Sequence, residues 1–223
     1  VITLSTIPPR FAEIGGPLIS LLRQKSRPEA VELWIPQRYR RFPGWGGALP
    51  QVPEGVTIRR TDEDLGPATK LLPAARERRG QEAELILCDD DRHYAPDWAQ
   101  RLLAERARRP DEAIAGAGTT LERSGRPTDA PRPQPRATCS PFAWKQTAFI
   151  WRRRLLALRH GGQARIPLHA PFRTIESPGY VDIFEGYAGV ALRPDWFDDL
   201  AFDIPPVLWA VDDIWLSGHL ERR

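Results

Sequence analysis

Short apolar runs alternate with helical segments over residues 1–118, and this rhythm limits the fold more than any other feature of the chain. Val1–Ser5, Val31–Ile35 ("VELWI"), Val56–Ile58 and Glu84–Cys88 ("ELILC") read as strands, the last being the clearest buried one. Between the first two, "FAEIGGPLISLLRQK" places leucine and isoleucine at helical spacing. "GPATKLLPAARERRG" has Pro67 near a first helical position and Gly80 as a terminator, while Pro73 demands a kink or a later start. "APDWAQRLLAERARR" (95–109) is the clearest helix, with Pro96 and Asp97 in its first turn and arginines where the helix dipole favours them. "EAIAGAG" (112–118) reads as a fifth strand. Strands separated by crossover helices lie parallel, so the expected fold is α/β: a mostly parallel central sheet with helices on both faces.

The rhythm then breaks. Residues 119–141 are rich in Pro, Arg, Thr and Ser and read as a long loop, and "QTAFIWRRRLLALRH" fits a helix or a strand–helix pair. "GYVDIF" and "GVALRP" resemble two strands joined by "EGYAG". "VLWAVDDIWLSGHL" follows Pro205-Pro206 and puts Val211, Ile214, Trp215 and Gly218 on one helical face. A chain of 223 residues buries roughly 70% of the surface it exposes unfolded, enough for one substantial core, so a single domain over 1–223 is expected.

Other classes drop out. No apolar run approaches the ~20 residues of a membrane span, and "VITLSTIPPRF" has no basic start or small-residue cleavage site, so a cytoplasmic location is expected. Cys88 and Cys139 make neither a disulfide framework nor a metal-ligand spacing, and Cys88 is expected to be a buried thiol. The arginine clusters 106–109 and 152–154 suit either a solvated surface balanced by 29 acids or a peripheral contact with an anionic membrane. A net charge of +3 is too small for a nucleic-acid module.

Within "LILCDDDRHYAPDW", four apolar residues run straight into Asp89, Asp90 and Asp91. In α/β sheets ligands bind beyond the carboxyl ends of strands. In extended backbone Asp89 and Asp91 share a side and Asp90 takes the other. Two carboxylates converging there suit Mg²⁺ or Mn²⁺, which bind through one or two carboxylates together with substrate phosphates. The competing explanation is an acidic loop held by arginine, such as Arg92. "GAGTTL" (116–121) lacks the third glycine of a dinucleotide fingerprint, and no P-loop or hydrolase triad is present.

An Asp-x-Asp after the fourth strand of a parallel α/β domain resembles the GT-A (Rossmann-like) class of nucleotide-sugar-dependent glycosyltransferases. Further segments fall in the order of that class. "STIPPRF" looks like the part that meets base and ribose, "DEDLGPATKLLPA" like a nucleotide- and phosphate-contacting segment, "EGYAG" like a sugar-binding loop, and "VDDIW" like the acidic motif supplying the base. The resemblance implies a nucleotide-binding half over 1–118 and an acceptor-binding half over 119–223. It implies transfer of a sugar from a nucleoside diphosphate, UDP-sugar foremost, to a glycan or glycolipid acceptor, with Mn²⁺ or Mg²⁺, in surface polysaccharide or glycolipid assembly. Departures are an Asp-Asp in place of Glu-Asp, and a His219 only six or seven residues further on.

The roles implied are specific. Asp91 is the first choice of metal ligand, with Asp89 sharing the ion or binding ribose and His219 completing the set. Asp90 contacts nucleotide or a backbone amide. Ser5, Thr6, Arg10, Asp64 and Lys70 address the nucleotide, while Glu185 and Gly186 address the sugar. An inverting reaction needs a carboxylate to take the acceptor's proton, with Asp213 first and Asp212 second. Each has an ordinary alternative: Lys70 and Arg10 as surface charges, the aspartates as helix-start acids, the glycines of "EGYAG" as a hairpin turn. Trp144 and Trp151 suit sugar stacking or core. Two other functions fit less well. A sugar nucleotidyltransferase usually has a glycine-rich basic loop after its first strand, and a non-catalytic carbohydrate-binding domain needs no base.

Overall fold

A computed structural model of the chain describes residues 1–121, 132–139 and 175–223. The chain groups into two compact units, Val1–Arg126 with Asp182–Arg223, and Pro127–Val181. In the first unit, β1 (Ile2–Ser5), α1 (Gly15–Leu22), β2 (Val31–Pro36), β3 (Val56–Thr61), α2 (Leu72–Glu77), β4 (Leu85–Leu87), α3 (Trp98–Arg108), β5 (Ile114–Ala115) and β6 (Gly118–Thr119) follow in order. In the second unit β7 (Thr138–Cys139) and β8 (Ile175–Ser177) form an antiparallel pair. The first unit resumes with β9 (Ile183–Phe184), β10 (Val190–Leu192) and a helix numbered here α4 (Asp212–Glu221).

Six strands form one sheet in the order β3-β2-β1-β4-β10-β5. β1, β2, β3 and β4 are mutually parallel, and β10 runs antiparallel to both β4 and β5. The mostly parallel α/β expectation is therefore met, with one reversed strand. Alternation along each strand sends residues to two cores. Ile2, Leu4, Leu33 and Ile86 meet Leu18 and Leu21 of α1 and Leu102 of α3 on one face. Trp34, Leu85, Leu87 and Val190 meet Leu72 and Ala75 of α2 and Leu216 of α4 on the other. Both faces are covered, and Cys88 is fully buried in the first of these cores.

The local departures have local causes. "GPATK" forms a 3₁₀ turn (Gly66–Lys70) and α2 starts only at Leu72, which puts Pro73 in a first turn, where its missing N–H costs nothing. Thr3 Oγ1 donates to the Lys70 carbonyl at 2.6 Å and docks that turn on the sheet. α3 starts at Trp98, so Pro96 and Asp97 precede it. β9 and β10 are not a hairpin: β9 pairs with β6, and β10 enters the main sheet. In α4 the buried side is Asp212, Leu216, Ser217 and His219, whereas Val211 and Ile214 of the expected apolar face are exposed. Arg106 is buried in an ion pair with Glu84, whereas Arg108 and Arg109 are exposed and pair with Glu105 and Glu112. Arg152–Arg154, Trp144 and Trp151 lie outside the described residues.

Gly189 fixes the turn into β10. Its φ is +89°, and an added Cβ would lie 2.2 Å from the Trp98 ring. Gly189→Ala is expected to cost about 2–3 kcal/mol, combining left-handed strain with overpacking, read as a fall in urea midpoint at unchanged slope.

Candidate functional site

The carboxyl ends of β1, β2 and β4 open into one cavity of ≈ 290 Å³. Residues from five separate stretches line it, four of them holding the expected site residues: Ser5, Thr6 and Arg10; Asp64 and Lys70; Asp89, Asp90 and Asp91; and Asp212 and Asp213.

Asp89–Asp91 do not alternate as extended backbone would require. β4 ends at Leu87 and the chain turns at Asp90–Asp91, which brings all three aspartates to the same cavity. Asp90 is buried and engaged at both oxygens, accepting from Thr6 Oγ1 at one and from Arg10 Nη1 at 2.5 Å at the other. It ties the end of β1 to the end of β4. Burial raises its pKa, against the pull of the Thr6 hydrogen bond and the Arg10 charge. Both oxygens of Asp90 are thus held by side chains rather than by a backbone amide, at the edge of the cavity it helps to line.

Arg10 follows Pro8-Pro9 in a 3₁₀ turn and reaches Asp91 with its other nitrogen at 3.2 Å. Burial opposes its charge, yet Asp90 and then Asp91 and Asp89 hold its pKa above the ordinary value. The arginine that holds the acidic loop is therefore Arg10. Arg92 stands 4.0 Å from Asp91, with its guanidinium over the Tyr187 ring.

Lys70 is not a surface lysine. It is 5% exposed, with Nζ 2.7 Å from Asp89 Oδ1 and 2.9 Å from Asp212 Oδ2. Burial alone would lower its pKa, but Asp212, Asp89 and Asp213 together raise it, so it is an ammonium at every working pH. The contact to Asp212 is an ion pair outside hydrogen-bond geometry, which leaves buried Oδ2 with no hydrogen bond. Asp213, one position further into α4, accepts the Gly186 N–H at both oxygens at 3.2 Å. Its pKa is pushed up to about 6, first by burial and then by Asp212, against the Lys70 charge and the Gly186 hydrogen bond.

Gly186 does not line the cavity but abuts it. A Cβ there would lie 2.8 Å from Lys70 Nζ and 2.9 Å from Asp213 Oδ1, so a side chain would push both groups aside. This close approach, rather than a hairpin, accounts for the glycine. Glu185 is half-buried and outside the cavity lining. Asp64 lines the cavity but is engaged, accepting the Gly66 and Arg40 N–H groups at 2.9 and 2.7 Å. His219 is not with the carboxylates. Its ring packs edge-on against Trp215 at 4.6 Å, and its charged neighbours are Arg222 and Asp198. Its expected place in a metal set is corrected accordingly: α4 turns His219 toward the segment after β10.

Among the described residues, no three His, Cys, Asp or Glu side chains are arranged to hold a metal by themselves. The donor chemistry nonetheless fits a hard dication that takes its remaining ligands from phosphate. Asp89 and Asp91 offer part-exposed carboxylates at the cavity, five aspartates of the two acidic motifs face Lys70 and Arg10, and Asp212 Oδ2 lacks a hydrogen bond. Five lining residues were not foreseen from sequence: Pro36, Tyr39, Arg41, Phe42 and Trp209. Tyr39 and Phe42 follow the end of β2, so the rule for carboxyl ends of parallel strands points to them. Trp209 had no signal beyond its place three residues before Asp212. No protein-family model matches the chain, and no curated protein matches it in sequence.

Proposed function

We propose that the protein is a metal-dependent glycosyltransferase of GT-A type that moves a sugar from a nucleoside diphosphate to an acceptor hydroxyl with inversion. One observation carries this reading: Asp89 and Asp91, Lys70, Arg10 and the Asp212–Asp213 pair, far apart in sequence, line a single cavity beyond the strand ends.

The residues divide the work. Asp89 and Asp91 would hold a dication, which when bound neutralises charge growing on the departing diphosphate. Arg10, 43% exposed at its side chain, offers guanidinium hydrogens to a phosphate oxygen without leaving Asp90. Lys70 is the buried counter-charge to Asp89 and Asp212 and so holds the acidic groups in place. Asp213 is the base. Its carboxylate is oriented by the Gly186 N–H, and a pKa of about 6 leaves it ionised yet basic enough near neutrality to accept an acceptor proton. Asp212, ion-paired to Lys70, is the weaker candidate.

A thermal-shift panel of nucleoside diphosphates with and without Mn²⁺ tests the reading. One nucleotide is expected to raise the unfolding temperature only when Mn²⁺ is present, by the equivalent of about 2.7 kcal/mol at a hundredfold excess over its Kd. Equal stabilisation without metal, or none by any nucleotide, would count against it.

A further inference from the structure

Among the described residues six large aliphatic side chains are exposed, and three of them, Val207 (85%), Val211 (40%) and Ile214 (46%), fall within eight positions of the chain. Val211 and Ile214 are three apart at the start of α4 and share a side. Trp209, between Val207 and Val211, lines the cavity, and Asp212 and Asp213 follow at once. The apolar strip therefore alternates along the chain with lining residues of the candidate site, although none of its three side chains lines the cavity itself.

A basic rim adjoins it. Arg38, Arg40 and Arg41 are exposed and have no carboxylate partner among the described residues. The Arg40 guanidinium lies 4.8 Å over the Trp209 ring. Asp64 ties the two segments together, accepting the Arg40 N–H at 2.7 Å and, through its carbonyl, the Trp209 indole N–H at 3.1 Å. Of the nearby acids, Asp62 accepts from Gln37 and Asp64 from the backbone of Arg40 and Gly66, while Glu63 between them is exposed, so among the described residues three arginines face one unengaged carboxylate.

We propose that this rim, Val207, Val211 and Ile214 with Arg38, Arg40 and Arg41, seats the protein on an anionic lipid bilayer with the cavity mouth against the surface. Exposed aliphatics entering the headgroup layer beside arginines that have no carboxylate partner among the described residues are the two terms of interfacial binding. Three aliphatic side chains fall short of the ~800 Å² per partner that a stable protein interface buries, which argues against a second copy as the occupant. Among the described residues no helix is long and apolar enough to cross a bilayer, so the seat is peripheral. Resting on the transferase reading, the acceptor is then a lipid-borne hydroxyl presented at the surface.

Co-sedimentation of the full chain with vesicles tests the seat, using about equal parts phosphatidylglycerol and phosphatidylcholine, or phosphatidylcholine alone. Binding is expected on the mixed vesicles, weak on the neutral ones, and reduced in about 0.5 M salt. Val207→Asp/Val211→Asp and Arg38→Gln/Arg40→Gln are each expected to weaken it roughly tenfold at unchanged unfolding temperature. Wild type and the aspartate variant sedimenting alike, or no sedimentation at all, would overturn the proposal. So would a wild-type dimer that the aspartate variant dissociates. Vesicle binding needs neither nucleotide nor turnover, so failure of the nucleotide panel sinks the transferase and leaves the seat standing.

Discussion

Asp213→Asn is expected to lower turnover by a factor of roughly 10²–10⁴, the usual worth of a positioned general base, while nucleotide binding persists. The same substitution should stabilise the fold. The Asp213 carboxyl has its pKa pushed up from 3.8 to about 6 in the folded chain, so the folded state holds a proton that the unfolded state has released between those values. Stability therefore falls as pH rises through that window, and the ionised group costs the folded state about 3 kcal/mol above it. Asparagine cannot ionise and can still accept the Gly186 N–H. It should unfold about 1–3 kcal/mol harder than wild type at pH 8, with the gain vanishing below about pH 4. Urea titrations at the two pH values measure one half, single-turnover kinetics the other. In wild type, turnover should climb with pH through about 6 and level off. A variant with full turnover removes Asp213 as base, and a variant destabilised at pH 8 contradicts the account of its burial.

Lys70→Met is expected to have the largest effect on stability. The ammonium is the buried counter-charge to Asp89 and Asp212 and a neighbour to Asp213. Methionine fills a similar volume but leaves those carboxylates uncompensated, and breaking a buried pair from one side costs about 3–5 kcal/mol. The raised Lys70 pKa means that its contribution is fully present below the ordinary lysine value, so the loss is visible at pH 7. One dependence separates this from a packing fault: added Mn²⁺ should restore part of the stability of Lys70→Met, because a dication can replace the missing charge. Lys70→Met unfolding within about 1 kcal/mol of wild type would show that the three aspartates need no buried cation.

Several elements were legible because the signals were local. "ELILC" followed by acids marked a central strand and its end, and β1, β2 and β3 stood out by apolar runs between helical segments. Asp89, Asp91, Asp212 and Asp213 were legible as carboxylates without a folding purpose, and the cavity gathers all four. Lys70 was read only halfway. Its type pointed to phosphate, but its burial depends on the short turn that Thr3 docks to the sheet, a contact across 67 residues. Asp90 shows the same limit: its partners, Thr6 and Arg10, lie 84 and 80 residues earlier in the chain.

The apolar face of α4 was misread because helical spacing identifies which residues share a side, not which side meets the sheet. Asp212 and His219 are buried and Val211 and Ile214 exposed because Leu216 anchors the helix to the core and the Lys70 ammonium draws Asp212 inward.

Periodicity, strand-end acids and proline positions, all properties of neighbouring residues, determined the α/β class, the parallel core and the identity of the acidic motifs. Only the tertiary structure decided that Lys70 and Arg10 balance those acids, that Asp213 holds its proton to about pH 6, and that His219 stands apart. The reason is range. Hydrophobic patterning acts within a few residues, whereas charge compensation and burial depend on groups that chain folding alone brings within a few ångströms.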